Sequence, residues 1–348
     1  MHVGLIGASS FGQNHLRAYQ ESSHISAISL AGRNLEKLRT LQAEHSKVRS
    51  ITNNFEDFFA DSEIGIIDIV LPHDMHLPVA VAAMENGKHV ICEKPPARTM
   101  DEALTMLEAS REHQVRYFVI MNQLYNPVHR KIREVIDKGA IGQPFLAFEY
   151  GLHHVGVMTD QNNWRATKEQ CGGGPMIDGG FHQIYRHLFF LESYGRPAWV
   201  TGVADQIAID IPEKGEDFVT MTIGFDSGIK VQVTRAFAVP FSPPHGPCAI
   251  CGTEGTIVLD GKEDTPFRIM DKEGDHWIPV GEGPRSYNET IPPCIHDYLE
   301  CLMEGEEPEP GLPMAYRTLE IIEASITSSR LGERIHLRSD PLAREGGN

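Results

Sequence analysis

Short apolar runs and helix-like stretches take turns through the first 120 residues. Val3–Ile6, Ile25–Leu30, Ile66–Leu71, His89–Cys92 and Arg116–Ile120 are short and rich in Val, Ile or Leu, as buried strands are. Between them, Gln13–Glu21, Leu35–His45, Leu77–Asn86 and Asp101–His113 space their apolar residues by three and four, as helices do. That alternation predicts βαβ units, a parallel sheet and right-handed crossovers. Asn86-Gly87 and Lys138-Gly139 supply the glycine expected just past a helix C-terminus. After about residue 140 the rhythm changes. Phe145–Tyr150, Trp199–Gln206, Phe218–Phe225, Ile229–Val239, Pro247–Cys251 and Thr256–Asp260 read as strands, several alternating apolar with polar residues, and Asp226-Ser227-Gly228 reads as a turn. This predicts a largely antiparallel sheet. A helix over His182–Glu192 interrupts it, and helices over Pro293–Met303 and Ala315–Arg330 follow, joined by the acidic, Pro-rich stretch Glu304–Pro313.

The expected organisation is an α/β first domain over residues 1–121, a second domain with its own sheet over 122–338, and a polar tail at 339–348; a late helix packs back on the first domain. A length of 348 residues suits two domains. The formal charge of −17 repels phosphate polyanions and anionic membrane surfaces, which argues against nucleic acid as the main partner. No run approaches the ~20 apolar residues of a membrane helix, and the N-terminus lacks the pattern of a secretory signal. The six scattered cysteines, including the lone Cys248-Ala249-Ile250-Cys251, read as reduced thiols of a cytoplasmic protein.

Gly7-Ala8-Ser9-Ser10-Phe11-Gly12 follows the first strand and opens the first helix. It matches G-x-G-x-x-G at its outer glycines. Gly7 permits the tight turn, Gly12 permits close helix–strand packing, and the helix N-terminus receives a pyrophosphate. Ser9 stands at the middle place, and Ser10 and Phe11 complete the loop. The second strand ends Leu30-Ala31-Gly32-Arg33-Asn34, without the carboxylate that binds an adenosine ribose. Arg33, with Asn34 and Lys37 beside it, suits a 2′-phosphate, so NADP is preferred over NAD. The plainer reading of Arg33 is a solvated side chain after a strand.

Two further segments complete a pattern: His89-Val90-Ile91-Cys92-Glu93-Lys94-Pro95, and Gly172-Gly173-Gly174-Pro175-Met176-Ile177-Asp178-Gly179-Gly180-Phe181-His182. With the N-terminal loop, and with Pro72-His73-Asp74-Met75-His76 and Cys251-Gly252-Thr253-Glu254-Gly255-Thr256 as weaker echoes, the chain resembles the glucose-fructose oxidoreductase/inositol dehydrogenase (Gfo/Idh/MocA) family from Val3 to about Leu337. The resemblance implies a Rossmann domain followed by a C-terminal domain whose large, open, mostly antiparallel sheet often forms the subunit interface, hence a homodimer or homotetramer. It implies Lys94, Asp178 and His182 as the catalytic set. It places cofactor contacts at the loop and at Leu71, Pro72, His73, His76, Glu93 and Lys94, while Asn122, after the sixth strand, sits where a doubly wound sheet faces the cofactor. Trp164 and Arg165 fall at the nicotinamide end, with Tyr287 a weaker candidate. The chain departs from the pattern at Ser9, at His73 where Asn is frequent, and at Tyr185 where Asp is frequent.

Hydride transfer from a carbinol needs an aligned carbon, a proton acceptor and stabilisation of the developing oxyanion. Histidine, with an ordinary pKa near ~6.5, is the natural proton carrier, so His182 is the expected acid/base. Lys94 is expected to hydrogen-bond the reacting oxygen. Asp178, four residues before His182, is placed to orient the imidazole or to bind a substrate hydroxyl. Substrate contacts are expected from Lys94, His154, Asp178, His182 and Tyr185. His153-His154 with Asp178 and His182 offers metal-like ligands, but a strand turns adjacent side chains to opposite faces, and no metal is expected. The reading is NAD(P)-dependent oxidoreduction of a sugar, polyol or cyclitol. A hydrolase or lyase using a tightly bound NAD transiently is the alternative, and a non-catalytic dinucleotide sensor is a third.

Overall fold

The first sheet is parallel throughout. Its strands are β1 (His2–Ile6), β2 (Ala27–Ala31), β3 (Val48–Thr52), β4 (Ile66–Ile69), β5 (His89–Cys92) and β6 (Tyr117–Val119), in the order β3-β2-β1-β4-β5-β6. The computed structural model describes residues 1–8, 10–153, 163–207, 215–237, 239, 248–260 and 265–344. Helices α1 (Gln13–Glu21), α2 (Leu35–Glu44), α3 (Asp57–Ala60), α4 (His76–Glu85) and α5 (Met100–Glu112) connect the strands. Every residue of β2 and β4 is buried, which is why these strands read as unbroken apolar runs and not as alternating ones. The exception is Asp68, a carboxylate in the middle of β4 with no exposure. The order reverses at β1/β4, the topological switch of a doubly wound sheet, where ligands lie at the carboxyl ends of the strands.

The second sheet runs β14-β13-β12-β11-β7-β10-β9-β8-β15. Its strands are β7 (Pro144–Leu152), β8 (Pro197–Asp205), β9 (Phe218–Phe225), β10 (Lys230–Ala236), β11 (Cys248–Gly252), β12 (Gly255–Val258), β13 (Phe267–Asp271), β14 (Gly274–Ile278) and β15 (Ile335–His336). Among the described residues β7 and β10 run parallel, and the other neighbours run antiparallel. Helix α6 (Pro127–Asp137) packs on α8 (Phe181–Leu191), which lies on β7 and β10; α7 (Lys168–Cys171) is a single turn. Two more helices follow, α9 (Ile291–Glu304) and α10 (Leu312–Leu331).

Met1–Asn122 and Ser286–Ala315 cluster as one compact unit; Gln123–Arg285 and Tyr316–Pro341 form another. Helix α9 is thus part of the first unit. It packs on α1, with His296 Nε2 2.9 Å from the carbonyl of Ala18, and Tyr298 donates to the carbonyl of Val119 at 2.7 Å while its ring stacks on Phe118 at 5.3 Å.

Several elements differ from the reading of the sequence. Strands β3, β13, β14 and β15 and helix α6 were not expected from hydrophobic spacing. β3 is half exposed and β14 almost wholly exposed, so neither carries a strong apolar signal. Helix α8 begins one residue earlier than expected and is preceded by a π turn, Met176–Gly180. Cys248 and Cys251 both lie on β11 as free thiols.

Candidate functional site

Each unit carries its own group of candidate residues. In the first, β1 ends at Gly7, whose φ of +95° is open to glycine, and a methyl group there would fall on the carbonyl oxygen of Val70. At Gly12 a methyl would meet the Gly7 oxygen at 2.6 Å. Both glycines are therefore required by close backbone approach. Helix α1 starts after Gly12 with no side-chain cap; its first N–H groups, those of Gln13 and Asn14, donate to the carbonyls of Ser10 and Phe11 at 3.1 and 3.0 Å. Ser10 is exposed, and the half-buried Phe11 ring tilts against Tyr287 at 5.6 Å. Ser9 lies outside the described residues.

At the end of β2, Arg33, Asn34 and Lys37 are all exposed. Asn34 caps α2, its Oδ1 accepting the Lys37 N–H at 3.0 Å. After β4, Leu71 and Pro72 are half-buried, and His73 is buried with its ring 5.5 Å from that of His76. The Nδ1 of His76 lies 2.9 Å from the carbonyl of Pro95 and its Nε2 3.0 Å from that of Leu71; the neutral ring donates to one of the two, and it sits between the loop after β4 and the segment after β5. Burial pushes the pKa of His76 down, against the pull of those two carbonyls.

That segment carries Glu93 and Lys94, 6% and 9% exposed, with a cis peptide between Lys94 and Pro95. Glu93 Oε2 accepts the Lys94 backbone N–H at 3.1 Å, and its Oε1 lies 3.1 Å from His15 Nε2. The other ring nitrogen of His15, Nδ1, lies 2.7 Å from Asp68 Oδ2, which also accepts the Tyr19 hydroxyl at 2.8 Å. Burial alone would lower the pKa of His15, but Asp68 and Glu93 outweigh it and hold the imidazole up at about 10. A protonated His15 donates from both nitrogens, so it locks helix α1 to β4 and to the Glu93-Lys94 turn. Asn122 is fully buried; its Nδ2 donates to the Tyr287 carbonyl at 2.9 Å and to Thr290 Oγ1 at 2.8 Å, while its Oδ1 has no partner among the described residues.

In the second unit the glycine cluster wraps Glu216. A methyl at Gly174 would fall on the Glu216 carbonyl oxygen, and Glu216 Oε1 accepts the Gly174 N–H at 2.7 Å. Burial pushes the Glu216 carboxyl up in pKa, against that hydrogen bond. The π turn follows and carries Asp178, whose Oδ2 lies 3.4 Å from Arg165 Nε. The Arg165 guanidinium sits 4.1 Å over the ring of Trp164. In the first turn of α8, His182 is 8% exposed, with Nδ1 2.7 Å from the Tyr185 hydroxyl. Tyr185 is fully buried and accepts the Gln123 N–H at 3.3 Å. Gln123 Oε1 accepts from Arg186, which is ion-paired with Glu149. His154 lies outside the described residues, and its neighbour His153 donates its backbone N–H to Ala236 at 3.0 Å. Reading the sequence did not single out His15, Asp68 or Arg186. Asp68 had a signal, a lone charge inside the apolar run Ile66-Ile67-Asp68-Ile69.

Residues 1–121 match the model of an oxidoreductase family with an NAD-binding Rossmann fold, and residues 129–258 match the GFO/IDH/MocA C-terminal domain. The chain belongs to the Gfo/Idh/MocA family. Among its relatives, a levoglucosan dehydrogenase of Pseudarthrobacter phenanthrenivorans is 27% identical over 94% of this chain and 96% of its own. A 1,5-anhydro-D-fructose reductase of Ensifer adhaerens is 26% identical over 85% and 87%. A solved levoglucosan dehydrogenase in complex with NADH and levoglucosan shares the fold at a TM-score of 0.82 and 24% identity, covering 97% of this chain and 99% of that one. No helix among the described residues is long and apolar enough to cross a membrane.

The residues of this Gfo/Idh/MocA chain fit a dinucleotide. Only glycine fits the close backbone approach at Gly7 and Gly12 that shapes the loop ahead of α1, and Asn122 keeps a buried acceptor with no partner among the described residues.

Proposed function

We propose that the protein is an NAD(P)-dependent dehydrogenase or reductase acting at a CH–OH carbon of a sugar, polyol or cyclitol. The placement of His182 in the first turn of α8, its Nδ1 2.7 Å from the Tyr185 hydroxyl, carries this reading, because that contact orients the imidazole that exchanges the proton of a substrate hydroxyl. Lys94 steadies charge on the reacting oxygen, and Asp178 binds a neighbouring hydroxyl. The nicotinamide, when bound, supplies or takes up the hydride. The likeness to sugar dehydrogenases and reductases supports the substrate class.

Residues 1–121 form the nucleotide domain on this reading, and 122–338 serve substrate binding and assembly into a homodimer or homotetramer through the second sheet. Gly7, Ser9, Ser10, Phe11 and Gly12 hold the pyrophosphate, while Leu71, Pro72, His73, His76, Glu93 and Asn122 line the nicotinamide side together with Trp164 and Arg165. The exposed Arg33, with no carboxylate closing β2, favours NADP. Free thiols at all six cysteines suit a reducing cytoplasm.

Lys94→Ala and His182→Ala are expected to lower turnover of a sugar substrate by about 10³-fold or more, with NADPH binding, followed by fluorescence titration, kept within about threefold. Activity near that of the parent in either variant would remove the assigned role.

A further inference from the structure

Behind Asp178 lies a group of charges in which one arginine stands apart from the ion pairs. Arg186 pairs with Glu149, and Arg165 with Asp178. The side chain of Arg235, on β10, has neither a hydrogen bond nor an ion pair among the described residues; its Nε is fully buried without a partner there, and its guanidinium lies 5.9 Å from the centre of the Phe237 ring. Each of these two carboxylates thus has a guanidinium partner already, and Arg235 has no carboxylate of its own among the described residues. Gln183, on α8, has its side-chain oxygen and nitrogen buried in the same region, beside Glu149.

The backbone is shaped around this arginine. A methyl at Gly179, next to Asp178, would fall 2.6 Å from Arg235 Cζ and 2.7 Å from its Nε. A methyl at Gly151, the register partner of Arg235 on β7, would fall 2.5 Å from Nη1, 2.8 Å from Cδ and 2.9 Å from Gln183 Oε1. Two glycines make room for a guanidinium between a strand and the π turn. Burial pushes the Arg235 pKa down, against the pull of Asp178 and Glu149. A cation so placed is costly unless something completes it.

We infer that Arg235 is an anion subsite and that the substrate is a sugar acid, a polyhydroxylated molecule whose carboxylate pairs with this guanidinium while its hydroxyls meet Asp178 and His182. Arg235 carries a single charge. A carboxylate neutralises it, whereas a phosphate dianion would leave an excess negative charge beside Asp178 and Glu149. Arginine's planar fork suits a carboxylate in a bidentate pair, which a lysine point charge does not reproduce.

This inference rests on the dehydrogenase reading, and the test separates the two. The parent protein, Arg235→Gln and Arg235→Lys are assayed by nicotinamide absorbance with both cofactors on D-gluconate, D-glucuronate, D-glucose and D-glucose 6-phosphate. Melting curves are recorded with and without D-gluconate. The parent is expected to prefer an acid over D-glucose by about tenfold or more in kcat/KM. Arg235→Gln is expected to lose roughly 100-fold on the acid, mainly through KM, and to lose the rise in Tm given by D-gluconate; Arg235→Lys recovers only part. Preference of the parent for D-glucose or for the phosphate, or an equal fall of kcat on acid and neutral sugar in Arg235→Gln, overturns the subsite and leaves Arg235 a positioning residue for Asp178. Absence of turnover on every sugar counts against the dehydrogenase reading, and the gluconate-dependent Tm, present in the parent and lost in Arg235→Gln, still reads the subsite.

Discussion

In the first unit His15 gives one ring nitrogen to Asp68 and the other to Glu93, and Tyr19 adds its hydroxyl to the same Asp68 oxygen. In the second unit the Arg235 side chain sits near Asp178, Glu149 and Arg186 with no hydrogen bond of its own among the described residues. Both groups lie next to residues of the Gfo/Idh/MocA motifs, Glu93-Lys94 in one case and Asp178 in the other. The contrast separates two uses of buried charge. A cation with both donors taken fixes backbone geometry, and a cation with donors to spare marks where a ligand completes the structure.

The first half of that contrast breaks at His15→Asn. Removing the imidazolium leaves two buried carboxylates facing each other, so unfolding free energy is expected to fall by about 3–5 kcal/mol in a denaturant titration. The pH dependence sharpens the test. With the folded pKa raised to about 10 from an unfolded 6.5, the contribution of His15 is complete below pH 6.5 and fades as pH rises toward 10. The parent therefore loses stability across that window, and His15→Asn does not follow it. A variant as stable as the parent at pH 6 would refute the lock.

Tyr185→Phe probes the second unit at a smaller scale. Loss of the hydroxyl frees the His182 ring, and kcat is expected to fall roughly 10- to 100-fold with KM little changed. A rise in KM at constant kcat would instead make Tyr185 a substrate contact, as the sequence alone suggested. Smallest is Arg33→Ala, an exposed cation in the first unit. NADPH affinity is expected to drop about tenfold and NADH affinity less than about twofold, measured by fluorescence titration. Equal losses would mean that no 2′-phosphate is read there.

The parallel sheet was legible because β1, β2, β4 and β5 are buried on both faces and leave unbroken apolar runs. The glycine loop was legible because its requirement is local. Helix α6 was legible in part: Lys138-Gly139 marked its end, while Val128, Ile132 and Ile136 behind the capping Asn126 and Pro127 give its start and its buried face. Strand β14 was not, since an exposed strand carries no burial pattern. At the site, residue types were visible and partners were not. His15 meets Asp68 and Glu93 across 53 and 78 positions, and Arg186 meets Glu149 across 37. Pairings of that span follow from topology, which spacing along the chain does not encode. Tyr185 shows the same limit: the sequence marks its departure from Asp, and only the fold shows its hydroxyl on His182.

Helix α9 has a consequence for biosynthesis. The first unit is not closed by its own first 122 residues, because Ser286–Ala315 returns to cover α1 and to stack Tyr298 on Phe118. At ~5–20 residues per second, a ribosome finishes that closing segment about 10–40 s after the six parallel strands have emerged. Throughout that interval the nascent nucleotide-binding lobe carries an open apolar flank while the other lobe is still being made, so this chain meets the cell's chaperones with its earliest-made half unfinished.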